Sequence, residues 1–334
     1  MEEKPTMETS IIIPILNEEA TIKQLLDSIH QQTYPKERFE IIFVDGGSVD
    51  QTLPLLEEYL KVSPRMIRII HNSRKTAQHA MNLAIPQSRG IYIIRLDAHS
   101  IYPSNYFEIL ISALKKDAML GNVGGRCEVI GKGLIGESYE TVLSTVFGVG
   151  SSKFRTSNTE EYVNTVPFGA YRKDVLINIG MYNERLQRNE DYELNIRLKK
   201  KGYKILLKPD LVIKYQCRNT WFSIIKHEIS DGIWNTLSFI IAPYTFSLSH
   251  FIPLFFVISI LLFIILQITG VFFLHFIFLI EAICYLGLDV YYSLRYAHNR
   301  LRNILVTFLL YPLHHIGCGI GEIAGIFCIK RIRK

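Results

Sequence analysis

Residues 10–48, SIIIPILNEEATIKQLLDSIHQQTYPKERFEIIFVDGGS, decide the fold. Residues 11–16 (IIIPIL) form a short β-branched run of the kind that a strand buried on both faces needs. Asn17-Glu18-Glu19 ends that run and opens a helix. There Ile22, Leu25, Leu26 and Ile29 fall at i, i+3, i+4 and i+7, one face of a 3.6-residue period. Tyr34-Pro35 breaks the chain, residues 40–44 (EIIFV) read as a second strand, and Asp45-Gly46-Gly47-Ser48 is a tight turn. The alternation continues with a helix over 50–61, a strand over 66–70, a short helix over 76–85 and a strand over 91–96 that runs into Asp97-Ala98-His99. This cadence predicts an α/β domain with a parallel, doubly wound sheet and functional loops at the carboxyl ends of its strands.

The chain has 334 residues, enough for two domains. With 49% hydrophobic and 20% charged residues it is neither a disordered chain nor a nucleic-acid binder. Residues 232–334 carry only 7 of the 37 Lys and Arg and 3 of the 31 Asp and Glu, almost all outside the apolar runs. The first part therefore reads as a soluble globular domain and the second as a membrane segment flanked by basic residues, which excludes a purely soluble protein. Cys127, Cys217, Cys284, Cys318 and Cys328 are odd in number, widely spaced and without a C-x-x-C pair. They exclude a disulfide scaffold and suit a reducing compartment. Met1–Ser10, polar and carrying Glu2, Glu3 and Glu8, does not read as a signal peptide.

Trp221, Ile225, Ile229, Ile233 and Leu237 recur every four residues, so the stripe stays on one side of a helix for four turns. With Trp221 and Trp234 as anchors it predicts an amphipathic helix in the headgroup region; a core helix of the soluble domain is the alternative. Residues 248–266 and 271–288 are each long enough for one spanning helix, with a turn at 267–270. Basic residues at Arg295, Arg300 and Arg302, and again at Lys330, Arg331, Arg333 and Lys334, both call for the cytoplasmic side. A single crossing by 303–329 would strand one cluster, and this segment holds Pro312, Gly317, Gly319, Gly321 and Gly325. The expectation is a re-entrant or interfacial hairpin there, with a third span as the alternative. Glu281, inside the second span, should pair with His275, His314, His315 or an arginine, or stay protonated.

Asp45 and Asp97 each follow an apolar strand directly, where ligands bind in an open α/β sheet; a lone strand-end Asp can equally cap the next turn. There is no G-x-G-x-x-G after the first strand and no G-x-x-x-x-G-K-[ST] anywhere, so a Rossmann dinucleotide enzyme and a P-loop NTPase are disfavoured.

The segments SIIIPILNEE, EIIFVDGGSVDQT and SRGIYIIRLDAHSIYP resemble family 2 inverting glycosyltransferases of the GT-A fold. VGGRCEVIG, NTVPFGAYRKDVL, IGMYNERLQRNEDYELNIRLKKKGYKI and HHIGCGIGEIAG are similar to the branch that builds succinoglycan-type exopolysaccharide, and the ordered likeness runs from about residue 9 to the C-terminus. The resemblance implies a GT-A nucleotide-sugar-binding domain with a mostly parallel central sheet over residues 1–218, an amphipathic membrane-interface segment over 219–247 and a membrane domain over 248–334. Asp97-Ala98-His99 takes the place of the family's D-x-D motif, which implies Asp97 on the ribose or metal and His99 as metal ligand. The implied cofactor is a divalent cation, Mn²⁺ or Mg²⁺, and imidazole favours Mn²⁺. Asp45 would meet the base or ribose, with Gly46 where many members have a second acidic residue. Pro14, Leu16 and Glu18 would line the base pocket. Arg74 and Lys75 would meet the diphosphate, or form a solvated basic loop.

Asp191 of Glu190-Asp191 is the general base that the resemblance implies, with Glu190 on the acceptor side. Residues 189–201 read as a helix with Asn189 as N-cap, acidic residues in its first turn, Lys199-Lys200-Lys201 in its last and Gly202 beyond. The loop 164–172 is an acceptor-side candidate, Phe168 and Tyr171 stacking on sugar faces beside Pro167 and Gly169, or else a core turn packed by aromatics. Residues 148–155 (GVGSSKFR) are a candidate to close over the substrates.

The implied activity is a multi-pass enzyme of the cytoplasmic membrane, its catalytic domain facing the cytosol. It would transfer a hexose, glucose by resemblance, from a UDP-linked donor to a hydroxyl of a polyprenyl-diphosphate-linked glycan. Alternatives are transfer to polyprenyl phosphate and a non-catalytic scaffold of a polysaccharide assembly complex. Two or three spans give little pathway for a transporter. The Q-x-x-R-W motif expected of processive synthases is absent, with Gln216-Cys217-Arg218-Asn219 and Trp221 only a loose echo.

Overall fold

The computed structural model describes residues 7–62, 67–150, 152–246, 248–269, 275–298 and 300–329. Outside these lie parts of several sequence-based expectations: residues 1–6, Met66 of the third strand, Ser151 of the 148–155 stretch, Gly270, residues 271–274 of the second span, and the basic cluster 330–334. The chain forms two compact units, Met1–Glu128 with Ser157–Tyr215, and Val129–Thr156 with Gln216–Lys334. This division differs from the expected boundary at 218 because residues 129–156 belong with the C-terminal part.

In chain order the elements begin with β1 (Thr9–Ile15), α1 (Ile22–His30), β2 (Phe39–Asp45), α2 (Thr52–Val62), β3 (Ile67–His71), α3 (Ala77–Gln87), β4 (Tyr92–Arg95), β5 (Ser100–Ile101), α4 (Tyr106–Lys116) and β6 (Leu120–Ile130). There follow α5 (Gly133–Leu143), α6 (Val146–Val149), α7 (Lys153–Thr156), β7 (Glu161–Tyr162), β8 (Ala170–Arg172), α8 (Lys173–Asn178), α9 (Glu190–Lys200) and β9 (Lys204–Gln216). The chain closes with α10 (Trp221–Ile241), α11 (Ile252–Thr269), α12 (His275–Tyr296) and α13 (Leu301–Phe327).

The strands form one sheet in the order β3-β2-β1-β4-β8-β6-β9-β5, with β7 on β9. β1, β2, β3 and β4 pair in parallel, as the alternating pattern predicts, because Ile11, Ile12, Ile13, Ile42, Phe43, Ile93 and Ile94 are buried where helices cover both faces. Beyond β4 the sheet turns antiparallel: β8 runs against both β4 and β6, and β5 and β7 run against β9. The doubly wound parallel reading thus describes half of a mixed sheet. Helix α1 buries Ile22, Leu25, Leu26 and Ile29, the face read from the periodicity.

Among the described residues of the second unit, three helices are long and apolar enough to cross a membrane: residues 248–269, α12 and α13. Helix α11 continues through Thr269, past the expected turn at 267. Helix α13 is one continuous helix with Pro312 inside, so the expected hairpin is not formed. Its glycines serve packing instead. A Cβ at Gly317, Gly321 or Gly325 would collide with Glu228, Ile229 or Thr236 of α10, and one at Gly319 with Pro253 of α11. Small residues spaced four apart let two helix backbones approach closely. Helix α10 accordingly buries Ile224, Glu228, Gly232 and Thr236, whereas Ile225, on the expected apolar stripe, is exposed.

Several polar groups in this unit pair within it. Glu228 accepts a hydrogen bond from the Tyr139 hydroxyl and stands 2.9 Å from His314 Nδ1. His314 and His315 donate through Nε2 to the carbonyls of Gly148 and Phe147, at 2.9 and 3.0 Å. The start of the 148–155 stretch is therefore pinned to α13. Ser259 donates to Glu281 at 2.8 Å, so among the described residues the partner of this carboxylate is a hydroxyl of α11 and neither a histidine nor an arginine.

Candidate active site

The carboxyl ends of the parallel strands open into one cleft of about 200 Å³. The end of β1 contributes Pro14, Leu16 and Glu18, the end of β2 Gly46, the loop after β3 Lys75, and the end of β4 Arg95, Asp97 and His99. Pro14, Leu16, Glu18, Asp97 and His99 thus meet as the sequence predicts. Arg74 is exposed and does not line the cleft; Lys75, beside it at φ 63°, does.

Asp45 holds its own turn at the end of β2. It is 4% exposed, and its carboxylate accepts the Gly47 N–H at 2.9 Å, the Ser48 N–H at 3.1 Å and the Ser48 hydroxyl at 2.6 Å. Those bonds hold the turn that brings Gly46 to the cleft wall, and Asp45 itself is not part of the lining. A Cβ on Gly46 would stand 3.3 Å from Lys75 Cα and 3.4 Å from a Leu16 methyl, so a larger residue would crowd this wall.

Asp97 is anchored through its backbone N–H, which donates to the Tyr102 hydroxyl at 2.8 Å. His99 Nδ1 is 3.8 Å from Glu18 Oε1, and its ring packs edge-on against Tyr215 at 5.3 Å. An imidazole and two carboxylates on one open wall are a donor set that fits a Mn²⁺-like cation whose remaining positions go to ligand oxygens.

Across the cleft floor lies a group that sequence reading missed. Arg95 is 4% exposed, and its guanidinium meets three carboxylates: Nε to Asp97 at 3.4 Å, Nη2 to Glu190 at 3.1 Å, and Nη1 to Asp191 in direct contact. The signal was available, since a charged residue inside the β-branched run IYIIRL is costly to bury without a partner. Asp191 sits in the first turn of α9. Burial raises its pKa, and the Glu190 and Asp97 carboxylates add to the rise while Arg95 opposes it; the result is about 7. A carboxylate held near neutrality suits proton abstraction at physiological pH. Asn189 is the N-cap residue of α9, as expected, but it sits in the left-handed region at φ 61° and its side chain makes no cap hydrogen bond.

The acceptor-side loop is a core turn. Phe168 is 7% exposed and packs edge-on against Tyr102; Tyr171 is 1% exposed and its hydroxyl accepts from Asn122 at 2.9 Å. Neither ring is free to stack on a sugar. Gly169 is required because a Cβ there would strike the Asn122 side chain, and its carbonyl accepts the Arg95 N–H at 3.1 Å. The loop therefore acts on the cleft by positioning Arg95.

A mixed α/β sheet whose parallel strands end in an Asp-x-His motif, with a Glu-Asp pair opening a later helix, is a GT-A-type nucleotide-sugar transferase fold. The chain belongs to glycosyl transferase family 2, whose family model matches residues 10–180, and it is a glycosyltransferase. It is 32% identical over 230 residues to the dolichyl N-acetyl-alpha-D-glucosaminyl phosphate 3-beta-D-2,3-diacetamido-2,3-dideoxy-beta-D-glucuronosyltransferase of Methanococcus voltae, covering 67% of this chain and 71% of that protein. It is 26% identical over 254 residues to the succinoglycan biosynthesis protein ExoA of Rhizobium meliloti (strain 1021), covering 71% and 76% respectively. Among solved structures, the mannosyltransferase PcManGT from Pyrobaculum calidifontis in complex with GDP-Man and Mn²⁺ shares the fold with a TM-score of 0.60 over 96% of this chain and 87% of that one, at 16% identity.

Proposed function

We propose that this chain is an inverting, metal-dependent hexosyltransferase of the cytoplasmic membrane, with its catalytic unit facing the cytosol. It takes a hexose, glucose by its likeness to the succinoglycan branch, from a UDP-linked donor to a hydroxyl of a polyprenyl-diphosphate-linked glycan. The observation that carries this reading is the pairing, in one site, of the Asp97–His99 wall with Asp191 held by Arg95. The relative from Methanococcus voltae, whose name describes transfer onto a dolichyl-phosphate-linked sugar, supports a hydroxyl acceptor on a lipid carrier over transfer to the bare lipid phosphate.

In this mechanism the donor's nucleotide lies against Pro14, Leu16 and Glu18, with its diphosphate toward Asp97, His99 and Lys75. A divalent cation, Mn²⁺ by preference for imidazole, would be held by Asp97 and His99, and when bound supplies charge neutralisation for the departing diphosphate. Asp191 removes the acceptor hydroxyl proton as that oxygen attacks the anomeric carbon and the bond to the diphosphate breaks, inverting the centre in one displacement. Three candidate spans at the C-terminus would tether the catalytic unit to the membrane, where a lipid-borne acceptor has fewer orientations to search.

The test is a panel of UDP- and GDP-hexoses assayed with Mn²⁺ and native lipid extract, scored by nucleoside-diphosphate release. Release that requires both the lipid fraction and the metal supports the reading. Release unaffected by chelation removes the metal dependence, and lipid-independent release removes the acceptor class.

A further inference from the structure

We propose that Arg95 is a positioning residue for the transfer: its guanidinium ties donor-side Asp97 to the Glu190–Asp191 pair and sets where the base stands. The inference rests on the proposed role of Asp191 and goes beyond it by naming what aims that carboxylate.

Arg95 ends β4, and its own place is fixed twice, by the backbone bond to Gly169 and by the Tyr182 ring 5.7 Å beneath the guanidinium. From there its planar fork points in three directions, at Asp97, Glu190 and Asp191. A lysine has one point charge and could satisfy these groups only in turn. Helix α9 supplies the second line of argument. It starts at Glu190 after a left-handed Asn189 whose carbonyl accepts the Glu193 N–H at 2.9 Å but whose side chain makes no cap hydrogen bond. The first two residues of α9 are gripped instead by Arg95, which makes the position of Asp191 depend on a strand residue 96 positions earlier in the chain. Charge supports the same role: one cation faces three carboxylates, so Arg95 does not neutralise the cluster and leaves room for a divalent ion on the Asp97 side. Misplacing a reacting group by about 1 Å costs on the order of 10²-fold in rate.

The experiment is a double-mutant cycle on the full chain in nanodiscs, using Arg95→Lys, Asp191→Asn and both together. Its readouts are kcat from diphosphate release, Kd for UDP with Mn²⁺, and melting temperature. Arg95→Lys should lower kcat about 10²-fold, and the double variant should be no slower than Asp191→Asn alone within about twofold. Independent, multiplying effects would overturn the role of Arg95 and leave Asp191 as base, as would a kcat for Arg95→Lys close to that of the parent. Full activity in Asp191→Asn would instead remove the base assignment, and this proposal with it. Should Arg95→Lys fail to fold, Glu190→Gln replaces it in the cycle, with the same non-additivity expected.

Discussion

Asp191→Asn exchanges the proposed base for an amide of nearly the same shape, so it removes proton acceptance with little change in packing. Positioned general-base catalysis contributes about 10²–10⁴-fold, or about 3–5 kcal/mol of barrier, and kcat should fall by that factor. UDP–Mn²⁺ affinity should hold, because Asp191 is not among the residues lining the cleft wall formed by Pro14, Leu16, Glu18, Asp97 and His99. The pH profile of the parent enzyme gives an independent check. Burial raises Asp191 to about 7, opposed by Arg95 and reinforced by Glu190 and Asp97. The working form is the carboxylate, so kcat/KM should level off above that value and fall about tenfold per pH unit below it. Diphosphate release measured from pH 5 to 9 at saturating Mn²⁺ tests both parts. A flat acid limb, or an Asp191→Asn enzyme retaining half its rate, would refute the assignment.

His99→Ala should raise the Mn²⁺ concentration needed for half-maximal activity, and His99→Asp should shift the preference toward Mg²⁺; metal titrations of diphosphate release read both. Phe168→Ala should act on stability, costing about 3–5 kcal/mol for a buried aromatic, with thermal melting as readout. A rise in acceptor KM with an unchanged melting temperature would return Phe168 to the acceptor site. Gly321→Leu should disrupt the α10–α13 pairing, because a side chain there meets the Ile229 carbonyl, and the detergent-solubilised protein should melt lower. Cysteines introduced at 300 and 334 should label from opposite faces of sealed vesicles if α13 crosses the bilayer; labelling from one face would mean that this helix lies in the interface.

The residues that line the cleft from the ends of β1 and β4 were legible before any coordinates, because they follow apolar runs directly and strand ends in such sheets converge. The site's other half was not. Arg95 could be flagged as a charge within a buried strand, but its partners Glu190 and Asp191 stand on a helix whose approach no local pattern specifies. Phe168 and Tyr171 look equally suited to a sugar platform or a core, and only their neighbours Tyr102 and Asn122 decide for the core.

The same distinction runs through the whole molecule. Sequence by itself determined the alternation of β1 to β4 with α1 to α3, the apolar length of the C-terminal helices and the strand-end place of Asp97, since periodicity and hydropathy act over a few neighbouring residues; the Asp97–His99 motif was legible only through the family resemblance. Tertiary structure alone decided the antiparallel half of the sheet, the service of Asp45 to its own turn, and the use of the α13 glycines for close packing in place of a hairpin. Each of those depends on which distant group arrives to fill a hydrogen bond, a charge or a van der Waals gap, and that partner is set by the packing of the folded chain.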